Sequence, residues 1–289
     1  MATKKFKCKV CGYVHEGDAA PAKCPVCQAP ASEFVEEVEA TAAEKSANKK
    51  KGIDTNSNVY TIIYASVVVV IVATLLAVFS QLLAPQSEAN VRIDKKSQIL
   101  AALNLRGLEK TEIENKYAEV VVADRIIKSD ASVINEGVDK DKAAFAMANK
   151  DITPDNLPIY VCTVNGETKY VIPLVGKGLW NEIWGYISLN DDKNTVYGAY
   201  FSHAGETAGL GARITEYEGF QQQFENKKVL TEDASDVALS VVKVGKKVEG
   251  LSADSRCDAI TGATLTCDGV NNMVRDCLKK YMIFLTSNE

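Results

Sequence analysis

Two cysteine pairs near the start of the chain have the spacing of a metal site. Cys8 and Cys11 form one C-x2-C pair, and Cys24 and Cys27 form the second. Four thiolates in this pattern can close a tetrahedral site around one metal ion. About 35 residues bury too little apolar surface to fold alone, so the metal would stabilise the module. We therefore predict a four-cysteine metal domain over residues 1–36, kept in a reducing compartment.

The segments around these cysteines bear on the identity of the metal. Residues 8–18 (CKVCGYVHEGD) and 24–30 (CPVCQAP) resemble the rubredoxin-like domains of rubrerythrins. The resemblance covers residues 4–36 and implies one iron ion that cycles between the ferrous and ferric states. A structural zinc ribbon uses the same four ligands and is the alternative, because a tetrahedral set of four thiolates suits either metal.

A turn of small and polar residues near the other end of the chain is suited to a phosphate. Residues 258–266 have the sequence DAITGATLT and lead into residues 268–282, which have a helical pattern. A helix N-terminus favours an anion, and Thr266 or Asp268 would cap this helix. No neighbouring base activates a threonine hydroxyl here, so a separate enzyme would have to make a phosphoester. From residue types alone, an ordinary strand-to-helix turn with a threonine cap is the favoured interpretation.

The same turn resembles the flavinylation motif of a family of FMN-binding domains. That family includes the C subunit of Na⁺-translocating NADH:quinone reductases and the G subunit of Rnf complexes. Its members carry FMN through a phosphoester on the last threonine of the core motif, which maps onto Thr264, with Thr266 as the second choice. The resemblance implies a covalent FMN and a set of motif residues that bind it: Asp258, Thr261, Gly262, Ala263, Thr264 and Thr266.

Two upstream segments resemble the flavin pocket of the same family. They are residues 176–180 (GKGLW) and residues 203–211 (HAGETAGLG). The family commonly has proline where this chain has Ala208, so the loop would be less rigid. The resemblance covers residues 56–285 and implies a pocket lined by Leu179, Trp180, Glu206, Thr207, Leu210 and Lys243.

Other conspicuous residues have simpler interpretations. We expect Trp184 to pack in the core and His203 to make a loop hydrogen bond, and we predict no catalytic residue. Cys257 and Cys267 bracket the turn and could form a disulfide outside the cell. Cys267 and Cys277 cannot pair if both are helical, because ten residues separate them by roughly 15 Å. We interpret these cysteines, and Cys162, as structural.

The chain contains one segment suited to a membrane. Residues 59–84 carry no charge, and at about 1.5 Å per residue a helix there would extend roughly 39 Å. A buried core helix is the alternative. Lysines 45 and 49–51 precede the segment, whereas only Arg92 lies within ten residues after it. The positive-inside rule predicts a single-pass protein of the bacterial inner membrane, with its N-terminus in the cytoplasm.

The remaining patterns define the predicted domains. Residues 37–58 form a flexible linker, and residues 85–289 form an extracytoplasmic FMN-binding domain of α+β class with an antiparallel sheet. Helices are predicted over residues 110–118, 217–224 and 268–282, and Asn165-Gly166 predicts a hairpin turn. Strands are predicted over residues 119–123, 159–164, 169–174, 184–189, 196–201 and 238–243.

The chain of 289 residues has a net charge of −5, which gives no electrostatic basis for nucleic acid binding. It lacks a G-x-G-x-x-G unit that would bind a dinucleotide. We expect the chain to relay electrons and to bind neither NADH nor quinone by itself. The resemblance implies an electron-transfer subunit of a Na⁺-pumping NADH:quinone oxidoreductase. Its expected partners are the other membrane subunits, a flavin transferase and a cytoplasmic redox partner. The alternatives are the G subunit of an Rnf-type complex, and a membrane-anchored structural or binding protein with a zinc ribbon.

Overall fold

The computed structural model describes residues 4–37, residue 55 and residues 57–287. The chain divides into two compact units, residues 1–80 and residues 81–289. The predicted linker lies almost wholly outside the described residues. Lysines 45 and 49–51, on which the predicted orientation rests, also lie outside them.

The first unit begins with a small antiparallel sheet. Its strands are β1 (Lys4–Cys8), β2 (Val14–Gly17) and β3 (Phe34–Glu37), with β1 in the centre. The aromatic side chains of Phe6, Tyr13 and Phe34 are only half-buried. So small a core agrees with a module that depends on a bound metal for its stability.

A single helix, α1 (Asn58–Ala102), contains the predicted membrane segment and continues through Pro85. In the part of the chain that the structure describes, it is the one helix long and apolar enough to cross a membrane. It ends because Asn104 adopts a left-handed conformation, with φ at 60°. The N–H of Leu105 then donates to the carbonyl of Leu100 at 3.0 Å, which closes a Schellman turn.

The second unit is built on a six-stranded antiparallel sheet, which confirms the predicted fold class. Asn165 and Gly166 have φ values of 53° and 82°, as a type I′ hairpin between the third and fourth strands requires. The strands are β4 (Val121–Ile127), β5 (Val133–Asn135), β6 (Leu157–Val164), β7 (Glu167–Lys177), β8 (Glu182–Asn190) and β9 (Val196–His203). Their order in the sheet is β5-β4-β6-β7-β8-β9.

Helices cover both faces of this sheet, and alternate residues of each strand face opposite sides. On one face Val171 and Tyr186 pack with the end of α1 and with α2 (Lys110–Val120). On the other face Ile172 and Ile187 pack with α3 (Thr264–Lys279). A Cβ on Gly269 of α3 would lie 2.5 Å from the carbonyl oxygen of Lys177, so the helix lies against the end of β7.

Two predictions about the last third of the chain were wrong in detail. Residues 217–224 form a turn and a short 3-10 helix (Gln221–Phe224), because the buried Gln221 amide donates to the carbonyls of Phe201 and Ile214. The closing helix begins at Thr264, four residues earlier than predicted, and α4 (Met282–Thr286) follows it. A short parallel pair, β10 (Ser240–Val242) and β11 (Arg256–Asp258), precedes α3.

Candidate cofactor sites

The four N-terminal cysteines come together as predicted. Their sulfur atoms all lie within 4.8 Å of one another. Cys8 Sγ lies 3.7 Å from Cys27 Sγ, and Cys11 Sγ lies 3.5 Å from Cys24 Sγ. Metal–sulfur bonds of about 2.3 Å in a tetrahedron place the sulfurs roughly 3.8 Å apart. The cluster therefore fits one tetrahedral metal ion.

Two similar turns hold these sulfurs. The N–H of Gly12 donates to the Cys8 carbonyl and the N–H of Gln28 to the Cys24 carbonyl, both at 2.9 Å. Burial raises the pKa of the Cys24 thiol, but backbone N–H groups of residues 26 and 27 and neighbouring thiols outweigh it, so this pKa falls to about 7. These N–H groups favour the thiolate of Cys24, which is the form that binds metal. At Cys27 a backbone hydrogen bond lowers the pKa, but burial and the neighbouring thiols outweigh it and raise the pKa to about 12.

The threonine turn places Thr264, the predicted acceptor, at the start of α3. Ala263 is the N-cap residue and makes no side-chain capping bond. The predicted caps, Thr266 and Asp268, were wrong, because both residues lie inside the helix. The first N–H groups of a helix have no partner within it. Those beside Thr264 are therefore available to an anion such as a phosphate.

The turn exposes one of the two candidate threonines and buries the other. Gly262 has a φ of 86°, which lets the chain reverse and leaves Thr261 and Thr264 exposed. Thr266 is only 2 % exposed, and its hydroxyl donates to Glu206 Oε2 at 2.7 Å. Thr264 is thus the more accessible hydroxyl.

Cavities lie on two sides of Thr264. One, of about 190 Å³, is lined by Thr264 together with Leu179, Thr207 and Leu210 of the predicted pocket. The other, of about 560 Å³, is lined by Thr264 and the predicted Lys243. The structure therefore brings these predicted residues around the predicted attachment point.

Apolar side chains that face solvent form a rim beside the smaller cavity. Trp180 is 67 % exposed, and its indole Nε1 donates to Thr207 Oγ1 at 3.2 Å. Leu179 and Leu210 are also exposed. FMN has a flat ring and a phosphate. It therefore requires exposed apolar surface beside an anion-binding site. The residues present therefore fit FMN.

Leu265 belongs to this rim and was missed by the sequence reasoning. It is 60 % exposed and lines the smaller cavity beside Thr264. The signal that was overlooked is helical periodicity. Thr266 and Cys267 face the buried side of α3, so Leu265 directly before them projects from the exposed side.

Two predicted cofactor residues make contacts of another kind. Asp258 forms an ion pair with Arg256 at 3.0 Å, and its N–H donates to Gln223 Oε1 at 2.8 Å. These contacts fix β11 just before the turn. Glu206 is buried behind the rim and is bonded to Thr266. Direct contact of either carboxylate with FMN stays a prediction.

The residues given simpler interpretations have local partners. His203 Nδ1 accepts from the N–H of Glu206 at 3.1 Å, as expected for a loop hydrogen bond. Trp184 is half-buried rather than a core residue, and its Nε1 donates to Gln98 Oε1. The predicted disulfide was wrong. Cys257 and Cys267 are free thiols, because Cys257 Sγ contacts the Gln223 carbonyl and Cys267 Sγ accepts from the N–H of Ile260.

The fold and the sites define a protein with an FMN-binding domain and a rubredoxin-like domain. The FMN-binding domain family matches residues 178–279, and the rubredoxin-like domain family of rubrerythrins matches residues 6–35. More narrowly, the chain belongs to the family of the C subunit of the Na⁺-translocating NADH-quinone reductase.

Relatives of that name support this membership. The Haemophilus ducreyi protein is 30 % identical over 209 residues, which cover 66 % of this chain and 78 % of that protein. The Pasteurella multocida protein is 45 % identical over 107 residues, which cover 36 % and 38 % of the two chains. The crystal structure of the Parabacteroides distasonis protein has a TM-score of 0.65 at 37 % identity, and the match covers 72 % of this chain and 98 % of that one.

Proposed function

We propose that this chain relays electrons within a Na⁺-pumping NADH:quinone oxidoreductase, through FMN esterified to Thr264. The observation that carries the proposal is the position of Thr264. Its side chain is exposed at the first turn of α3 and lies between two cavities, whereas Thr266 is buried. The family membership supports the same conclusion.

The chain's own residues would act on the cofactor in two ways. The N-terminal N–H groups of α3 would stabilise the phosphate charge beside Thr264. Leu179, Trp180, Leu210 and Leu265 would keep water from the ring. Bound FMN supplies the capacity to take up and release one electron at a time, and nearby charge and hydrogen bonds tune its potential.

Mass spectrometry of the intact chain tests the attachment. The full chain is produced in its native host, or together with a flavin transferase and FAD, and its mass is compared with the sequence mass. We expect one phosphoester-linked FMN in the natural chain, and none after Thr264→Val. The matched control is Thr163→Val, which changes an exposed threonine of β6 outside the candidate site and keeps the adduct. An unmodified natural chain, or an adduct that survives Thr264→Val, would overturn the assignment.

We further propose that the cluster of four cysteines holds iron and exchanges electrons with a cytoplasmic partner. The support is the match to a rubredoxin-like domain, together with sulfur spacings that fit one ion. Metal analysis and a visible spectrum of the purified chain test the identity of the metal. A colourless protein that contains zinc would support a structural ribbon instead.

The proposed topology places residues 1–36 in the cytoplasm, residues 59–84 across the inner membrane, and residues 85–289 outside. The support is the apolar length of α1 and the lysines before it. An alkaline phosphatase fused after residue 289 tests the orientation, because that enzyme is active only outside the cytoplasm.

In this proposed topology the lipid bilayer separates the iron site from the flavin site. Rapid iron-to-flavin transfer within one purified chain, measured by stopped flow, would contradict separate partners for them.

The proposed partners are the other membrane subunits of the reductase and a flavin transferase. Purification of the tagged chain from its host membrane tests them. Subunits of a quinone reductase among the retained proteins would support the proposal. Subunits of a ferredoxin:NAD⁺ complex would favour the Rnf-type alternative.

A further inference from the structure

The Glu206 carboxylate joins two segments of the candidate flavin site. Glu206 is only 7 % exposed. Its Oε2 accepts from the Thr266 hydroxyl at 2.7 Å, and its Oε1 accepts from the backbone N–H of Trp180 at 3.0 Å. One side chain thus connects the rim to the helix that carries Thr264.

This carboxylate is anionic in its buried position. Burial raises its pKa, but hydrogen bonds from the Thr266 hydroxyl and from the backbone N–H groups of Trp180 and Asn181 outweigh burial and bring the pKa below its ordinary value. A buried carboxylate that lost a donor would be left partly unsatisfied, which is costly. The donors are therefore held in fixed positions around it.

The backbone leaves space for this contact only because residue 211 is glycine. A Cβ on Gly211 would overlap the Thr266 hydroxyl and would lie 2.8 Å from Glu206 Oε2. The walls of the smaller cavity include Thr207 and Thr264, whereas Glu206 lies behind them. Its position suits a residue that supports the site.

We infer that Glu206 is a positioning residue, which holds Trp180 and the Thr264 turn in register through Thr266. The inference rests on the proposed attachment of FMN to Thr264. Thr264 and Thr266 lie in the same first turn of α3, so a fixed Thr266 holds the backbone from which the Thr264 hydroxyl projects. The Trp180 backbone is held by the second oxygen of the same carboxylate, so the rim and the attachment point cannot shift independently.

The test uses the full chain with Trp184→Phe, which leaves Trp180 as the sole tryptophan. Two quantities are measured: the fluorescence anisotropy of Trp180 before FMN is attached, and the rate of attachment by a flavin transferase supplied with FAD. We expect Glu206→Gln and Thr266→Val each to lower the anisotropy and to slow attachment about tenfold. Glu206→Gln removes the charge and leaves only one accepting oxygen for two donors, and Thr266→Val removes the hydroxyl that donates to the carboxylate. Thr266→Ser keeps the hydroxyl and should restore both quantities.

A double variant separates positioning from independent effects. If Glu206 acts through Thr266, Glu206→Gln with Thr266→Val should be no slower than the slower single variant. Effects that multiply in the double variant, or a Glu206→Gln chain that matches the natural chain in both measurements, would overturn the inference. If Glu206→Gln does not fold, the comparison of Thr266→Val with Thr266→Ser still decides it.

The two proposals fail in different ways. If the natural chain accepts no FMN, the proposed function fails, and Trp180 anisotropy without FMN still reports the coupling. If the natural chain accepts FMN and the variants show no loss of rate or anisotropy, only the positioning role fails.

Discussion

Leu210 lies directly over the α-carbon of Gly262. A Cβ on residue 262 would come within 3.0 Å of Leu210 Cδ2. The loop of residues 203–211 therefore closes onto the threonine turn, and the absence of a side chain at Gly262 permits this contact. The positive φ of the same residue permits the reversal that exposes Thr264.

Gly262→Ala should therefore weaken both the fold and the site. A left-handed backbone costs an L-residue about 1–2 kcal/mol, and the added methyl group also displaces Leu210. We expect the free energy of unfolding to fall by at least about 1 kcal/mol in urea titrations, and we expect slower FMN attachment by intact mass.

Gly166→Ala is the matched control for that variant. Gly166 has a similar φ of 82°, and a Cβ there would meet nothing within 4 Å. Gly166→Ala should lower the free energy of unfolding only through its left-handed backbone, and it should attach FMN at the natural rate. Equal attachment rates in the two variants would show that the contact between Gly262 and Leu210 is unimportant for the site.

The contribution of Glu206 to stability should depend on pH. Its pKa in the folded chain lies below the ordinary value, so its stabilising effect is complete above that ordinary value, near 4.3, and is lost as the pH falls through the folded-state pKa. The difference in free energy of unfolding between the natural chain and Glu206→Gln should shrink as the pH falls below about 4.3. Urea titrations at several pH values measure it.

Thr266→Val provides the control for this pH dependence. It removes one of the hydrogen bonds that lower the pKa of Glu206. In that background, Glu206→Gln should change the pH dependence less than it does in the natural chain. An unchanged pH dependence would mean that the contact with Thr266 has no effect on the carboxylate.

Local sequence signals predicted the features that local interactions determine. The C-x2-C pairs place their own sulfurs through short turns, and Asn165-Gly166 supplies two left-handed residues in succession. Residues 217–224 were predicted wrongly because the buried amide of Gln221 is held by the carbonyl of Phe201, twenty residues away. The helical pattern there competes with a contact that no local window contains.

The arrangement of the flavin site depended even more on distant contacts. The sequence motif ranked Thr264 first and Thr266 second as acceptors, but it gave no physical reason for that order. What distinguishes them is the bond from Thr266 to Glu206, sixty residues earlier in the chain. Since Ala263 makes no side-chain cap, no capping signal marked the true start of α3. Tertiary packing therefore set both the helix boundary and the exposed threonine.

The cysteines of the second unit should remain reduced thiols. Burial raises the pKa of Cys257 to about 12, despite the nearby charge of Lys227. A buried thiol with so high a pKa carries little thiolate and reacts slowly. We expect alkylation of Cys162, Cys257, Cys267 and Cys277 to be slow in the native chain and complete in urea without a reductant. Peptide mapping that shows a Cys257–Cys267 disulfide would contradict this expectation.

Loss of one metal ligand should unfold the N-terminal module and leave the flavin site intact. Cys11→Ser removes one of the four sulfurs, and the module has only half-buried aromatic residues to replace the stabilisation that the metal provides. Structural metal binding contributes on the order of 10 kcal/mol to comparable small domains. Since residues 81–289 form a separate compact unit, FMN attachment to Thr264 should continue.

Cys277→Ser is the control for this prediction. It alters a buried thiol of the second unit and should keep the full metal content. Metal analysis and intact mass on the same samples measure both effects. Full metal occupancy in Cys11→Ser would refute a four-cysteine site, and loss of FMN together with the metal would show that the two units depend on each other.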